Sequence, residues 1–400
     1  MKKVMLLGGN YFQMTATKAA KALGCHVISV DYLPNNPAHK YADEYYNVST
    51  TDKEAVLTLA QKLQIDGIVS YASDVSAPTA AYVAGKLGLP TNPYESVLLL
   101  TRKDLMRPFL EKHKFFFPKG KSFTEYSEAY EFFQTIKKPT MIKPVDASGS
   151  KGVSKVVGNS EFDKAFLEAK RYSHSGIVIV EEFIQREGYQ IAGDGFLVDG
   201  KLVFAGLMNE HFDNLVNPLV PIGESYPSVL EESLKKKACS EIERLMNLLN
   251  MRMGAINLDF IVDKSGNVYI LEIGPRNGGN LITDAIKLAT GVDLAYYTIL
   301  SALGEDCSKL RERKTKQLVS SYIVHASKDG IFKGLEMSPE LEKDVILSDL
   351  FVKCGEKVHR FENGGFGIGA MLIRHDSVEQ MQYRMDHMEE FMDVLILDAS

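Results

Sequence analysis

The sequence has few of the residues and segments that mark secreted, metal-cluster and membrane proteins. Its cysteines are isolated, without the spacing of a metal site or a disulfide framework, and they are Cys25, Cys239, Cys307 and Cys354. The nine histidines are scattered and form no ligand pair at helical or hairpin spacing. No apolar run approaches the roughly 20 residues that a membrane-spanning helix needs. No cleavable signal region precedes the strand-like residues 4–7. We therefore expect a cytoplasmic protein with no membrane partner.

The chain also has no excess of positive charge. Its formal net charge is −6 at pH 7, which argues against nucleic acid or an anionic membrane as the main partner. The apolar content of 45% and the charged content of 24% are those of an ordinary globular protein. Because 400 residues are too many for one hydrophobic core, we expect the chain to form several domains.

The first 100 residues alternate short apolar runs with helical patterns, which predicts a parallel sheet with crossover helices. A nicotinamide-binding fold is one interpretation, since Gly8 and Gly9 follow the first strand and Asp31 ends the second. The loop lacks, however, the third glycine that packs helix against strand in those folds. Another interpretation is a substrate pocket bordered by Gly8, Gly9, Asn10 and residues 71–74, because ligands of open α/β sheets collect beyond the carboxyl ends of the strands. Tight turns without a ligand are equally compatible with the pattern.

The segment 259–280 says most about chemistry. Two apolar runs flank a four-residue loop, which predicts an antiparallel hairpin. If the loop closes Asp263 against Val268, the register places Asp259 directly opposite Glu272, with Cβ atoms roughly 5 Å apart. Two carboxylates so close repel each other unless a cation lies between them. Mg²⁺ usually takes one or two protein carboxylates and fills its other sites with substrate phosphates. The pair therefore predicts a magnesium site, and a solvated hairpin with two surface acids is the alternative.

Two earlier segments contain residue types that suit a nucleotide. Lys143 ends a predicted strand, and the small residues at 147–153 follow it in a loop whose backbone N–H groups can approach a phosphate closely. A plain hairpin tip is the alternative for this loop. About 30 residues later an apolar strand ends in Glu181 and Glu182. A strand that leaves its sheet there exposes backbone groups suited to an adenine edge, and the two acids could bind ribose hydroxyls.

Together, the strand lysine, the glycine–serine loop, the Glu-Glu-Phe-Ile hinge and the acidic hairpin before Pro-Arg resemble the ATP-grasp superfamily of ligases. The order and spacing match across residues 101–303, and the N-terminal sheet looks like the domain that precedes the ATP-grasp fold. The resemblance extends to carbamoyl-phosphate-synthase-like and phosphoribosylglycinamide-synthetase-like proteins and to carboxylate–amine (amino-acid) ligases. It implies an α/β parallel-sheet domain at 1–100, an α+β ATP-grasp domain at 101–314 with a lid subdomain at about 115–182, and a small C-terminal α+β domain at 315–400.

The resemblance also implies roles for single residues. The residues that would hold and cover the ATP phosphates are Lys103, Lys143, Ser148, Gly149, Lys151, Gly152 and Val153. Those that would frame adenine are Glu181, Glu182, Phe183 and Ile184. Asp259 and Glu272 would bind Mg²⁺, with Mn²⁺ as a possible substitute, and Arg276 would steady the acyl phosphate or its phosphoryl group.

Two positions depart from the family pattern. Gly274 replaces the asparagine of Glu-x-Asn-Pro-Arg, so a side-chain metal ligand is lost unless Asn277 supplies it. Gly188 precedes Tyr189 where the hinge usually has a glutamate, and this shifts the ribose role to Glu187.

The activity that the resemblance implies is ATP- and Mg²⁺-dependent ligation of a carboxylate to an amine through an acyl phosphate, with release of ADP and phosphate. The partners would be small-molecule carboxylate and amine substrates, with no nucleic acid, and a homodimer is possible. A phosphoribosylglycinamide-synthetase-like activity and a carbamoyl-phosphate or carboxylase-type activity on bicarbonate are alternatives. A non-catalytic ATP-binding module is a further alternative, and the intact Lys143, Asp259, Glu272 and Arg276 count against it.

Specificity is expected to depend on the N-terminal pocket and on residues 210–227, which are predicted to be a loop. His211 lies in this segment and is predicted to be a surface-loop histidine, with substrate contact as the alternative. The chemistry that the resemblance implies requires no histidine or serine nucleophile.

Overall fold

The computed structural model of the protein describes residues 1–311 and 313–398. The α-helices are α1 Met14–Ala22, α2 Lys53–Leu63, α3 Ala77–Leu87, α4 Tyr94–Leu100, α5 Lys103–Lys112, α6 Tyr126–Thr135, α7 Asn159–Tyr172, α8 Glu232–Leu248, α9 Ile282–Thr290, α10 Leu294–Ala302, α11 Pro339–Glu342 and α12 Val378–Asp386. The strands are β1 Lys3–Leu7, β2 His26–Val30, β3 Glu44–Tyr46, β4 Gly67–Ser70, β5 Gly120–Phe123, β6 Thr140–Pro144, β7 Ser154–Val156, β8 Val178–Glu182, β9 Gln190–Val198, β10 Lys201–Asp213, β11 Asn217–Tyr226, β12 Gly254–Val262, β13 Val268–Gly274, β14 Leu318–His325, β15 Gly330–Met337, β16 Val345–Leu350, β17 Lys357–Val358, β18 Gly367–His375 and β19 Met392–Leu397. Within the described residues, no helix is long and apolar enough to cross a bilayer.

The N-terminal sheet is parallel, as the alternating pattern predicts, with strand order β3-β2-β1-β4. Its central strands are apolar and buried because helices cover both faces. Asp31 does not face a cofactor, since its carboxylate accepts hydrogen bonds from the Gly9 and Leu33 N–H groups and from Asn36 Nδ2. The acid therefore closes the turns at the carboxyl edge of the sheet.

A second, four-stranded sheet lies within the expected lid segment and has the order β5-β8-β6-β7. The strands β6 and β8 agree with the two strands predicted to end at Lys143 and at Glu181–Glu182, whereas β5 and β7 were not predicted. These elements are short, so their sequence gives little periodicity to recognise. A buried aromatic cluster that includes Phe133, Phe162 and Phe166 packs α6 and α7 against this sheet.

The largest sheet has eight strands in the order β13-β12-β9-β10-β11-β14-β18-β16. The C-terminal strands β14, β16 and β18 extend this sheet, and the small sheet β17-β15-β19 is built from the same part of the chain. A break at residue 315 would therefore cut through one sheet, and the three-part division of the chain stays a prediction. Glu312, in the charged segment expected to mark the boundary, lies outside the described residues.

The prediction of a loop at residues 210–227 is wrong. Most of this segment forms the antiparallel pair β10 and β11, in which Glu210 lies opposite Glu224. Polar side chains at buried strand positions hide the alternation on which a strand prediction depends. His211 is consequently not a surface histidine: it is buried, and its ring nitrogens contact Ser225 Oγ at 2.8 Å and Asp386 Oδ1 at 2.7 Å.

Candidate active site

A cavity of about 750 Å³ lies where the N-terminal sheet, the lid sheet and the large sheet meet. Its lining includes Asp74 from the first, Lys143 from the second, and Asp259 and Glu272 from the third. The loop after β4 brings Asp74 to the cavity, in agreement with the expectation that residues 71–74 border a pocket.

The acidic hairpin places Asp259 opposite Glu272, which confirms the predicted pairing. The predicted loop closure is wrong by one residue, because Val262 and not Asp263 pairs with Val268. A β-bulge between Asp259 and Phe260 shifts the register and restores the acid pair. The two carboxylates consequently lie on one face of the sheet, at the cavity.

The electrostatics of this pair fit a cation. Burial and the charge of Glu272 raise the pKa of Asp259 to about 7, so Asp259 ionises fully at neutral pH only with added positive charge nearby. Burial also opposes ionisation of Glu272, but Lys103, whose Nζ lies 3.0 Å from Glu272 Oε2, holds the pKa of Glu272 below its usual range. In residues 1–311 and 313–398 no three His, Cys, Asp or Glu side chains group as metal ligands. Two carboxylates suit Mg²⁺, which keeps water and phosphate as its other ligands.

Asn277 does not complete this site, and its assignment as a metal ligand is wrong. The residue is fully buried, its Oδ1 accepts from Thr298 Oγ1 at 2.7 Å, and its Nδ2 donates to Asp194 Oδ2 at 3.1 Å. Asn257, which pairs with Gly274 across the hairpin, lines the cavity instead. No spacing in the sequence indicates this residue, because it reaches the cavity only through the register of β12 and β13.

Gly274 gives room to a contact between the N-terminal sheet and the loop that follows β13. A Cβ at this position would lie 2.8 Å from Asp74 Oδ1 and 3.1 Å from the Arg276 guanidinium carbon. Arg276 Nη2 forms a short ion pair with Asp74 Oδ2, and Nη1 donates to the Asn277 carbonyl at 3.0 Å. Among the described residues, Arg276 Nε and Asp74 Oδ1 are buried and have no hydrogen-bond partner. A carboxylate of the N-terminal sheet thus lies against the loop at Gly274.

Lys143 is held at the cavity by a buried ion network. Its Nζ lies 2.9 Å from Glu181 Oε1, while Arg107 Nε donates to Glu181 Oε2 at 2.9 Å. Although burial opposes ionisation, Arg107 and Lys143 lower the pKa of Glu181 to about 2. The Glu181 carboxylate is therefore bound to cations and not free for ribose or adenine, and its assigned role changes to positioning Lys143. Arg107 was not predicted, because a single arginine inside a helix has no distinguishing pattern.

The remaining hinge residues line the cavity in part. Glu182, Phe183 and Ile184 border it, but the N–H groups of Glu182 and Phe183 donate to carbonyls of the lid, and Glu182 Oε1 accepts from the Lys119 N–H. Glu187 is exposed and lies outside the cavity lining, so the structure does not support its ribose role. Gln190 reaches the site, where Nε2 donates to Asp259 Oδ1 at 2.8 Å.

The small-residue loop after β6 covers one side of the cavity. Ser148, Gly149, Lys151 and Val153 line it, whereas Gly152 packs against α7, with a φ of +68° that favours glycine. The loop also touches the C-terminal part of the chain, since the Gly364 N–H donates to the Gly149 carbonyl at 2.9 Å.

Residues 136–284 match the sequence profile of the ATP-grasp domain family. The chain contains an ATP-grasp domain. The matched segment contains Lys143, the acid pair Asp259 and Glu272, and Arg276. The match confirms the resemblance seen in the motifs. The parallel N-terminal sheet and the α+β sheets confirm the expected fold class.

Proteins similar to this chain include two named enzymes. The carbamoyl phosphate synthase large chain of Methanobrevibacter smithii is 25% identical over 388 residues, which cover 91% of this chain and 35% of the relative. The formate-dependent phosphoribosylglycinamide formyltransferase of Aliivibrio fischeri is 26% identical over 288 residues, which cover 68% of this chain and 69% of the relative. The chain thus spans less than two thirds of the first relative's length. Among solved structures, an L-amino acid ligase from Bacillus licheniformis has the same fold, with a TM-score of 0.84, 18% identity, and coverage of 100% of this chain and 99% of the ligase.

Proposed function

We propose that the protein is an ATP- and Mg²⁺-dependent ligase that activates a carboxylate as an acyl phosphate and joins it to an amine, with release of ADP and phosphate. The observation that carries the proposal is one cavity at which two lysines, an acid pair and a partly unpaired arginine converge. The ATP-grasp domain and the likeness in fold to an L-amino acid ligase support the same reaction class.

Lys143 and Lys103 would neutralise the triphosphate. Each lysine is held by a carboxylate, Lys143 by the buried Glu181 and Lys103 by the half-buried Glu272, so the ammonium groups have set positions at the cavity. A preorganised charge costs little reorganisation when phosphate binds or transfers. Asp259 and Glu272 would hold Mg²⁺. When bound, the metal would add positive charge beside the transferring phosphoryl group.

Arg276 would stabilise the charge of the acyl phosphate. Among the described residues its Nε donor has no partner, whereas Nη2 is held by Asp74 of the neighbouring sheet and Nη1 by the Asn277 carbonyl. A fixed, planar cation suits an anion whose charge grows during transfer, whether phosphoryl group or tetrahedral oxyanion. The amine then displaces phosphate, and no residue of the protein has to form a covalent intermediate.

The test is formation of ADP and phosphate with a panel of carboxylates, including the L-amino acids, each combined with amine acceptors. We expect turnover that depends on both substrates and on Mg²⁺, and a condensed product in the mass spectrum. Turnover with bicarbonate alone would instead support the carboxylase-type alternative. Tight ATP binding with no turnover on any pair would support the non-catalytic module.

The metal assignment has a separate test in Glu272→Gln. This change removes one of the two carboxylates, so Mg²⁺-dependent thermal stabilisation by ADP should be lost. Glu232→Gln on the exposed start of α8 is the matched control and should keep the stabilisation. An unchanged melting shift in Glu272→Gln would refute the metal site.

A further inference from the structure

The large sheet holds a second acid pair that the proposed reaction does not use. Glu210 on β10 lies directly opposite Glu224 on β11, as Asp259 lies opposite Glu272 on β12 and β13. Both side chains line the cavity, and both residues are almost fully buried, at 6% and 2% exposure. The pair therefore faces the same space as the nucleotide machinery but belongs to different strands.

The pair has no compensating positive charge in contact. Glu224 accepts hydrogen bonds from Ser321 Oγ at 2.8 Å and from Asn280 Nδ2 at 3.3 Å. Within residues 1–311 and 313–398, neither acid forms an ion pair, and Glu210 Oε2 is buried without a hydrogen-bond partner. Burial and neighbouring acids raise the pKa of Glu210, although Arg186 acts in the opposite direction. Two buried, opposed carboxylates of this kind are costly unless a cation or protons neutralise them.

The wall around this pair distinguishes between two kinds of cation. At the Asp259 end, the lysines and the lid loop suit phosphate, which supplies oxygen ligands to a metal. Apolar side chains line the cavity on the elements around the second pair, and they include Phe212, Val220, Ile282, Ile323 and Phe361. Such walls offer no oxygen ligands to a hydrated divalent ion. An organic ammonium group brings three N–H donors for the carboxylates and an apolar body for the walls.

We propose that Glu210 and Glu224 form a subsite for the protonated amino group of an organic substrate. This inference rests on the proposed ligase function and names the substrate class: an amino compound with an apolar body, such as an amino acid. Arg276, at the same cavity, would then face the anionic end of a substrate while the acid pair holds the cationic end. The unpaired Oε2 of Glu210 is a ready acceptor for one ammonium hydrogen.

The test compares the double variant Glu210→Gln/Glu224→Gln with the wild-type protein and with Glu232→Gln as control. Glutamine keeps the shape and removes like-charge repulsion, so thermal melting should show a folded protein. For each active L-amino acid, we expect the double variant to raise KM at least about tenfold, because a charge-assisted contact is lost. KM for ATP should stay within about twofold of the wild-type value. The 2-hydroxy acid that corresponds to each active amino acid should bind the wild-type protein at least about tenfold more weakly.

Each contrary outcome is informative. An unchanged KM for the amino acid in the double variant, or equal use of the hydroxy acid by the wild type, overturns the subsite and leaves the ligase function standing. Mn²⁺ titration without nucleotide tests for a metal site at the pair. If the wild type and the Glu232→Gln control bind a metal ion that the double variant does not bind, the pair is a metal site and the proposal is wrong.

If the wild type turns over no substrate pair, calorimetry with the same amino acids in the presence of MgADP decides. If the wild type binds an amino acid and the double variant does not, the result supports the subsite and removes only the ligase proposal. Absence of amino-acid binding to the wild type removes the subsite as well.

Discussion

The ion network of Glu181 and Arg107 orients the ammonium group of Lys143, which brings a positive charge to the cavity. Lys143→Ala should weaken MgADP binding by about 1.5–3 kcal/mol, since it deletes a charge-assisted phosphate contact. Glu181 keeps its ion pair with Arg107 in this variant, so we expect the fold to survive. Isothermal titration calorimetry measures the loss, with the exposed Lys201→Ala as control. Equal affinities of Lys143→Ala and the control would exclude a phosphate contact.

Arg276 and Asp74 form one unit, in which the carboxylate aims the guanidinium. If Arg276 stabilises charge that appears only during transfer, Arg276→Ala should lower kcat steeply and change ATP affinity little. Asp74→Asn should lower kcat in the same direction, because the arginine loses its partner. Arg276→Lys should restore activity only in part, because a point charge lacks the planar fork.

Steady-state kinetics measures kcat of the Arg276 and Asp74 variants, and separate binding measurements give their ATP affinity. A parallel loss of ATP affinity and kcat in Arg276→Ala would make the residue a ground-state binder. Full activity of Asp74→Asn would remove the positioning role from Asp74.

The buried acids give the ligand-free protein a characteristic pH dependence. Burial raises the pKa of Glu224 from 4.5 to about 7. The charges of Asp194 and Asp259 add to this rise, whereas hydrogen bonds from Ser321 and Asn280 oppose it. The folded state therefore holds this proton more strongly than the unfolded chain. Stability from this group is complete below pH 4.5 and is lost as the pH rises through about 7.

Thermal melting without metal or nucleotide should accordingly show a falling Tm between about pH 5 and 8. Glu224→Gln should flatten this fall, although the raised pKa values of Asp194 and Asp259 leave a residual slope. A slope that is identical in wild type and variant would contradict the assignment to Glu224.

At the scale of elements, the lid sheet depends on the aromatic cluster between α6 and α7. Phe133 is fully buried and stacks near Phe162 at a centroid distance of 4.7 Å. Phe133→Ala should destabilise the lid by about 3–5 kcal/mol through lost burial and a residual cavity. Hydrogen exchange should accelerate in α7 and β6 and stay unchanged in the N-terminal sheet. Leu167→Ala, at an exposed site of α7, is the matched control and should have little effect.

The strand pairs β12–β13 and β10–β11 show which contacts local sequence patterns predict and which they do not. The turn residues and the alternation around 263–268 predict the hairpin, but Asp259 lies opposite Glu272 only because a bulge offsets the one-residue error in the predicted loop closure. The bulge beside Asp259 was not predictable, because a single extra residue leaves no mark in the pattern. In β10 and β11, buried polar residues such as Glu210 and His211 made a strand pair look like a loop.

At the scale of the molecule, the cavity exists only because three sheets meet. Asp74 comes from the N-terminal sheet, Lys143 from the lid sheet, and Asp259 and Arg276 from the large sheet and its exit loop. The Asp74–Arg276 ion pair and the Gly364–Gly149 hydrogen bond join segments that are far apart in the chain. Loss of one sheet would remove part of the cavity lining.

Local patterns in the sequence determined the parallel N-terminal sheet, the order of the ATP-grasp motifs and the hairpin that carries Asp259 and Glu272. These features depend on hydrophobic period, turn residues and short spacing, which a single strand or hairpin expresses by itself. Only the tertiary structure decided that Glu181 binds Lys143, that Asn277 is buried away from the cavity and that Glu210 faces Glu224. Such contacts join positions distant in the chain, and burial and partner charge, which set their chemistry, arise only when the sheets pack together.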